Sequence, residues 1–190
     1  IDSSLLHGCG GCHYRTDCLR TYPSHVSAQS LPQAWEQVWR ADPTAIILIN
    51  RSGREYSAQE VLDESSQRAA SLAASGVSAG VTVVMSCTPS VDLVLTYIAL
   101  MRVGATVLPA NTGYTERELE YIVEDAKPVA AIVDDPASMR WLQRHGVEMI
   151  IGPDLDLPQA PMGTDLSVVD PASTAYIAYT SGTTGAPKGA

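Results

Sequence analysis

Segments with apolar residues at helical spacing alternate along the chain with short apolar runs typical of strands, and this alternation predicts an α/β protein. Apolar residues at helical spacing predict helices over residues 31–40, 57–75, 91–103, 115–126 and 136–145. Short apolar runs predict strands over residues 45–49, 55–57, 81–87, 105–108, 129–133, 147–151 and 174–179. Because most strands alternate with helices, we expect βαβ units, and hence a mostly parallel sheet with helices on both faces.

Polar residues and glycine at the predicted helix ends support these boundaries. The stretches Ser57–Glu60 and Thr115–Glu118 are capping boxes, in which the first and last side chains bond each other's backbone amides. Gly104 follows a predicted helix, where glycine commonly ends one. The acidic pair Asp134-Asp135 is either a metal site or the start of a turn and helix, and we favour the turn.

Residues 1–30 differ from the rest of the chain. They contain three of the four cysteines, among Gly, Ser and Thr, and show no helical or strand period. We therefore predict an irregular or disordered leader over residues 1–30 and an incomplete α/β domain over residues 31–190. Residues 152–173 are rich in Pro, Asp and Gly, and we predict a long surface connection there.

The cysteines of the leader leave three interpretations open. The run from Cys9 to His13, Cys-Gly-Gly-Cys-His, matches the pattern of c-type haem attachment. Cys9, Cys12 and Cys18, with a nearby histidine (His13 or His25), are weak candidates for a zinc site. An incidental arrangement in an irregular segment is the third interpretation, and we favour it because the sequence has no second Cys-x-x-Cys pair.

Charge and hydropathy exclude some partners. The net charge is −9, whereas nucleic-acid binding depends on basic patches, so we expect no nucleic-acid partner. The most apolar run, residues 91–103, contains Asp92 and Arg102 and is too short to span a bilayer. Since no secretory signal is evident either, we expect a cytoplasmic protein without a membrane span.

The stretch over residues 179–189, Tyr-Thr-Ser-Gly-Thr-Thr-Gly-Ala-Pro-Lys-Gly, is suited to binding phosphate. It combines hydroxyl donors, glycines that let backbone amides approach an anion, and one positive charge. These residues are Ser181, Thr183 and Thr184, then Gly182 and Gly185, and finally Lys188. The stretch follows a predicted strand, and ligands of parallel sheets bind beyond the carboxyl ends of strands. A polar linker with a solvated lysine is the alternative, which the density of glycine and hydroxyl residues disfavours.

This motif is not a Walker A loop, because Lys188 is followed by Gly189 and not by Ser or Thr. It resembles the signature of the adenylate-forming superfamily, which comprises acyl-CoA synthetases, luciferases and the adenylation domains of peptide synthetases. Residues 54–60 and 100–111 resemble two earlier conserved blocks of that superfamily. Residues 112–119 resemble the acyl-CoA synthetase version, close to malonyl- and medium-chain-type members.

The resemblance implies a fold, a reaction and a set of binding residues. The fold is the first part of the large N-terminal domain of an adenylate-forming enzyme. In the reaction, a carboxylic acid and ATP, with Mg²⁺, give an acyl-adenylate and pyrophosphate, and the thiol of coenzyme A then displaces AMP. The loop holds the β- and γ-phosphates. The ATP-binding residues carried over are Thr180, Ser181, Gly182, Thr183, Thr184, Gly185 and Lys188.

We therefore expect an AMP-forming acyl-CoA synthetase, of the kind that serves fatty acid metabolism. One alternative is an adenylation domain that loads an amino or aryl acid onto a carrier protein, and another is a non-catalytic remnant. The resemblance places the acyl pocket, the adenine contacts and a catalytic lysine beyond Ala190. For this reason we expect no catalytic residue in this chain and no complete reaction without the C-terminal remainder of the enzyme.

Overall fold

The computed structural model describes residues 29–157, 160, 168–180 and 188–190. Its helices are α1 (Leu31–Ala41), α2 (Ala58–Ala74), α3 (Val91–Val103), α4 (Glu116–Ala126) and α5 (Pro136–Arg144). Its strands are β1 (Ile46–Ile49), β2 (Glu55–Ser57), β3 (Thr82–Ser86), β4 (Thr106–Pro109), β5 (Ala130–Val133), β6 (Met149–Ile151), β7 (Tyr179–Thr180) and β8 (Lys188–Gly189). Apart from residues 29 and 30, the predicted leader lies outside the described residues.

The central sheet has four parallel strands in the order β4-β3-β5-β6. Val83 of β3 pairs with Val107 on one side and Ala130 on the other. Ala130 in turn pairs with Met149 of β6. The predicted parallel sheet is therefore confirmed, and all four strands present their carboxyl ends at the same edge.

Helices cover both faces of this sheet. Successive strand residues point to opposite faces. In β3, Val83 and Met85 pack in one buried cluster with apolar side chains of α2 and α3. Val84, between them, packs in a second cluster with α4 and α5. Residues of β4 and β5 divide between the two clusters in the same way, as near-continuous apolar strands of a doubly covered sheet require.

Both predicted capping boxes are formed. Ser57 N donates to Glu60 Oε2 at 2.7 Å, and Glu60 N donates to Ser57 Oγ at 3.2 Å. Thr115 and Glu118 exchange the same pair of bonds, at 2.8 and 3.4 Å. Each glutamate carboxylate accepts hydrogen bonds from the backbone amide and the hydroxyl of its capping residue, and these bonds, first the one from the amide, lower the pKa of the glutamate. The caps begin α2 and α4 at the positions that the sequence predicted.

A small antiparallel hairpin of β1 and β2 packs on the helices beside the main sheet. It belongs to a third cluster in which Trp39 of α1, Tyr56 of β2 and Leu95 of α3 are buried. The predicted hairpin over residues 45–57 is therefore present, and it shares this cluster with α1, which itself contacts α2 and α3.

The connection after β6 differs from the predicted surface loop. Its Pro153 carbonyl accepts hydrogen bonds from Arg68 Nη1 at 2.9 Å and from Thr96 Oγ1 at 2.7 Å. Leu155, two residues on, is buried in the first cluster. Arg68 also pairs with Asp92, so one side chain holds this part of the connection on α2 and α3.

Candidate functional site

The segment that leads into the predicted phosphate loop runs beside β4. Val107 N donates to the carbonyl of Ala175, and Ile177 N donates to the carbonyl of Val107, both at 3.0 Å. Tyr176 and Val107 form a parallel bridge between these bonds. The segment therefore continues the sheet beyond β4 and points towards its carboxyl edge, where parallel sheets bind ligands.

The predicted strand over residues 174–179 is divided between two partners. Its first part pairs with β4, whereas Tyr179 belongs to β7, which pairs with β8 in a separate antiparallel hairpin. Ala178 and Ala190 exchange backbone hydrogen bonds of 2.9 and 3.0 Å at the base of this hairpin. We call residues 178–180 with residues 188–190 the stem.

The stem encloses most of the predicted ATP-binding residues. Thr180 and Lys188 are directly opposite each other in the stem. The predicted residues between them, Ser181, Gly182, Thr183, Thr184 and Gly185, lie outside the described residues, as does the Lys188 side chain. The geometry thus brings the two ends of the motif together, and the contacts of its hydroxyls and of the lysine stay a prediction.

Tyr179 fastens the stem to helix α4. Its ring meets that of Tyr121 edge-to-face, with centroids 6.5 Å apart and planes at 87°. Its hydroxyl donates a hydrogen bond to Asp125 Oδ2. Burial, followed by this bond and the charge of Asp125, raises the pKa of Tyr179 well above its usual value, so the phenol stays a neutral donor.

Gly189 lies beneath the same ring. A β-carbon at this position would be 3.2 Å from Tyr179 Cζ and 3.2 Å from Ile177 Cγ2. Those distances are tighter than most β-carbon contacts, so any other residue would displace the ring or Ile177 by a few tenths of an ångström, whereas glycine lets the tyrosine ring cover the opposite strand. The last glycine of the motif therefore has a packing role within the stem.

Polar groups at the carboxyl ends of β3 and β5 are joined by Asp134. Its Oδ2 accepts a hydrogen bond from Thr88 N at 2.7 Å. Asp135 caps α5 by accepting from Ser138 N, also at 2.7 Å, and this bond lowers the pKa of Asp135. The interpretation of the acidic pair as the start of a turn and helix is confirmed.

Cys87, at the end of β3, is a buried thiol without the properties of a nucleophile. It donates a weak hydrogen bond to the carbonyl of Ile132. Burial, with the charge of Asp134, raises the pKa of Cys87 to about 12. A thiol that stays protonated is inert as a nucleophile or metal ligand, which agrees with a core role.

The described residues contain no group of three or more His, Cys, Asp or Glu side chains arranged to hold a metal ion. The weak metal candidates Cys9, Cys12 and Cys18 lie outside this part of the chain. Within the same ranges, no helix has the length and hydropathy needed to cross a membrane.

The contacts of Tyr121 and Asp125 with Tyr179 of the motif are not evident from the sequence. Asp125 is 54 residues away from Tyr179 along the chain, and nothing in the local pattern of α4 distinguishes its carboxylate from neighbouring acidic residues. Only the packing of α4 against the stem identifies it.

Comparison with protein families gives one match that covers most of the chain. The family model described as "AMP-binding enzyme" matches residues 35–190 of this chain. This range contains the described fold from Trp35, within α1, onwards, together with the motif over residues 179–189.

Among curated relatives, enterobactin synthase component F of Escherichia coli O157:H7 is 34% identical over 71% of this chain and 10% of its own length. Syringomycin synthase SyrB1 of Pseudomonas syringae pv. syringae is 32% identical over 74% of this chain and 23% of its own. Novobiocin biosynthesis protein H of Streptomyces niveus is 29% identical over 86% of this chain and 29% of its own. The chain spans between 3% and 29% of the length of the relatives matched.

Solved structures share the fold. MatB from Rhodopseudomonas palustris superposes with a TM-score of 0.71 at 27% identity, over 84% of this chain and 34% of that protein. The N-terminal subdomain of NpsA from Klebsiella oxytoca superposes with a TM-score of 0.70 at 24% identity, over 85% of this chain and 40% of that structure.

Proposed function

Because the chain belongs to the family of AMP-binding enzymes, we propose that it is the phosphate-binding part of an adenylation domain. Members of this family form adenylates, using ATP and Mg²⁺. The domain would activate an amino or aryl acid as its adenylate and transfer it to the thiol of a carrier protein. The observation that carries this proposal is the motif over residues 179–189, held on a stem at the carboxyl edge of a parallel sheet.

The proposed reaction forms and breaks one bond at phosphorus and then one at carbon. A carboxylate oxygen of the acid bonds to the α-phosphorus of ATP, and the bond to the β-phosphate bridge breaks, releasing pyrophosphate. The thiol sulfur then bonds to the acyl carbon, AMP leaves with the electron pair, and the thiol proton goes to solvent.

This chain would act on the leaving pyrophosphate. Thr180 and Lys188 face each other across the stem, so the loop between them begins and ends at one point. We propose that Lys188, with Thr180, Ser181, Gly182, Thr183, Thr184 and Gly185, binds the β- and γ-phosphates. Hydrogen-bond donors and a positive charge at that position would stabilise the negative charge that develops on the leaving pyrophosphate.

A carrier protein is the acceptor that the relatives favour over coenzyme A. The curated relatives include proteins named as an enterobactin synthase, a syringomycin synthase and a hybrid PKS-NRPS synthetase. Such names agree with the adenylation domains of peptide synthetases, and they do not point to an acyl-CoA synthetase of fatty acid metabolism. Transfer to coenzyme A is the second candidate, supported by the resemblance of residues 112–119 to acyl-CoA synthetases.

Equilibrium titration with pyrophosphate and with ATP, each with Mg²⁺, tests the phosphate role. Lys188→Asn should weaken both affinities by about tenfold to a hundredfold, since a hydrogen bond to a charged group is worth ~1.5–3 kcal/mol. Lys127→Asn is the matched control: it removes the other lysine of the chain and places asparagine where the backbone is left-handed (φ 46), a conformation asparagine tolerates. The proposal would be rejected if binding of pyrophosphate and ATP to the unsubstituted chain did not saturate. It would also be rejected if the two substitutions weakened these affinities equally.

The acceptor is tested with the complete polypeptide in which this chain occurs. After adenylation, transfer of the labelled acid to a phosphopantetheine-bearing carrier protein is compared with transfer to free coenzyme A. Preferential labelling of the carrier protein is the expected result, and preferential formation of an acyl-CoA would establish the second candidate instead.

A further inference from the structure

In the described part of the chain, the side chain of Tyr179 joins the stem to helix α4. This residue is the first of β7, one position before Thr180, and its ring also covers Gly189 of β8. Both strands of the stem therefore depend on where the tyrosine ring lies. The position of that ring is defined at its edge by Tyr121 and at its hydroxyl by Asp125.

Asp125 lies at a position where the negative charge of a carboxylate destabilises the helix. It lies in the last turn of α4, which ends at Ala126 and contains no basic residue, although Lys127 follows as the cap residue. Negative charge near a helix C-terminus is repelled by the macrodipole. A residue that breaks such a local rule commonly has a compensating contact elsewhere, and here the contact is the Tyr179 hydroxyl.

We propose that Asp125 is a positioning residue, which through Tyr179 fixes the β7–β8 stem against α4 and thereby sets where the stem presents Thr180 and Lys188. The consequence for ligand affinity rests on the proposed phosphate-binding function, whereas the anchoring of the stem does not. A hydroxyl-to-carboxylate bond is directional, so it orients the ring as well as attaching it. The edge-to-face contact with Tyr121 restrains the ring but leaves its hydroxyl end undirected.

The first experiment measures the anchor without any ligand. Hydrogen exchange of peptides covering residues 176–190 is compared in the unsubstituted chain and in Asp125→Ala, Asp125→Asn and Tyr179→Phe. Exchange in the stem should be at least about threefold faster in Asp125→Ala and Tyr179→Phe, because a net hydrogen bond of this kind shifts a local opening equilibrium by about that factor or more. Asparagine keeps an oxygen acceptor, so Asp125→Asn should restore part of the protection.

Matched controls separate the anchor from general damage to α4 or to tyrosine packing. Glu124→Ala removes the neighbouring exposed acidic residue of the same helix, and Tyr114→Phe removes the hydroxyl of another half-buried tyrosine. Neither control should change exchange in the stem. Alkaline ultraviolet titration gives a second signature: subtracting the Tyr179→Phe curve isolates Tyr179, and Asp125→Ala should shift its ionisation to lower pH, because Asp125 contributes to raising that pKa.

The second experiment measures affinity for pyrophosphate with Mg²⁺ by titration calorimetry. Asp125→Ala should weaken binding about threefold to tenfold relative to Glu124→Ala, and Asp125→Asn should recover part of the loss. If the unsubstituted chain binds no pyrophosphate, the proposed function fails, and the exchange data alone decide the anchor. If exchange in the stem is unchanged by Asp125→Ala, the inference is overturned, whatever the affinity.

Discussion

Gly104 ends helix α3 with its backbone in the left-handed region (φ 80), which glycine adopts at little steric cost. A β-carbon there would lie 3.1 Å from Cβ of Ala79 and 3.5 Å from Cγ2 of Val169. Gly104→Ala therefore combines a strained backbone with a close contact. We expect it to lower the free energy of unfolding more than a substitution that brings strain alone.

The two contributions can be evaluated separately. A β-carbon in the left-handed conformation costs ~1–2 kcal/mol. The close contact adds ~1 kcal/mol, the lower end of the range for overpacking, because Ala79 is exposed in a turn that can yield. The expected loss for Gly104→Ala is therefore ~2–3 kcal/mol.

Gly146 provides the matched control for backbone strain. It follows α5 with a φ of 84, and its β-carbon position has no described heavy atom within 4 Å. Gly146→Ala should therefore cost only ~1–2 kcal/mol. The measurement is urea unfolding followed by tryptophan fluorescence, with the slope of the transition checked to be unchanged.

A double substitution tests the contact itself. Ala79→Gly removes the atom at 3.1 Å, so it should recover ~1 kcal/mol when combined with Gly104→Ala and should recover none when combined with Gly146→Ala. The reasoning would be refuted by equal losses for Gly104→Ala and Gly146→Ala, or by the same effect of Ala79→Gly in both backgrounds.

Two other predictions concern Cys87 and Arg68. Since folding raises the pKa of the Cys87 thiol from 9.0 to about 12, its contribution to stability is complete below pH 9 and falls as pH rises towards 12. The free energy of unfolding of Cys87→Ala should fall less over that window, and parallel curves for the two proteins would contradict this. Arg68→Met should lower the free energy of unfolding by ~1–3 kcal/mol, because the Pro153 carbonyl and Asp92 lose a charged donor. The control is Arg117→Met, at an exposed arginine. A comparable loss of unfolding free energy there would show that the hydrogen bonds of Arg68 do not account for the effect of Arg68→Met.

Local features of the sequence were sufficient to predict most elements of the fold. The capping boxes at Ser57 and Thr115 define where α2 and α4 begin, because their hydrogen bonds join residues only three positions apart. The strands of the central sheet are continuous apolar runs in the sequence, since both faces of the sheet are covered by helices. The motif over residues 179–189 was also recognisable from the sequence, because its hydroxyl residues, glycines and lysine lie close together along the chain.

The kind of enzyme was predicted correctly at the level of the family, and the acceptor was predicted less well. The motif over residues 179–189 indicates the family, and it carries no information on the thiol that would receive the acyl group. The stretch over residues 112–119 favoured an acyl-CoA synthetase, whereas the names of the curated relatives agree better with the alternative, an adenylation domain.

Sequence alone therefore determined the type of most elements and where α2 and α4 begin, because each depends on residues that are near neighbours along the chain. Tertiary structure decided the strand order with β3 at the centre, the docking of the connection by Arg68, and the contact of Asp125 with Tyr179. These features join residues that are distant along the chain, and their partners are set by which crossover places which strand and helix side by side. No local pattern contains that information.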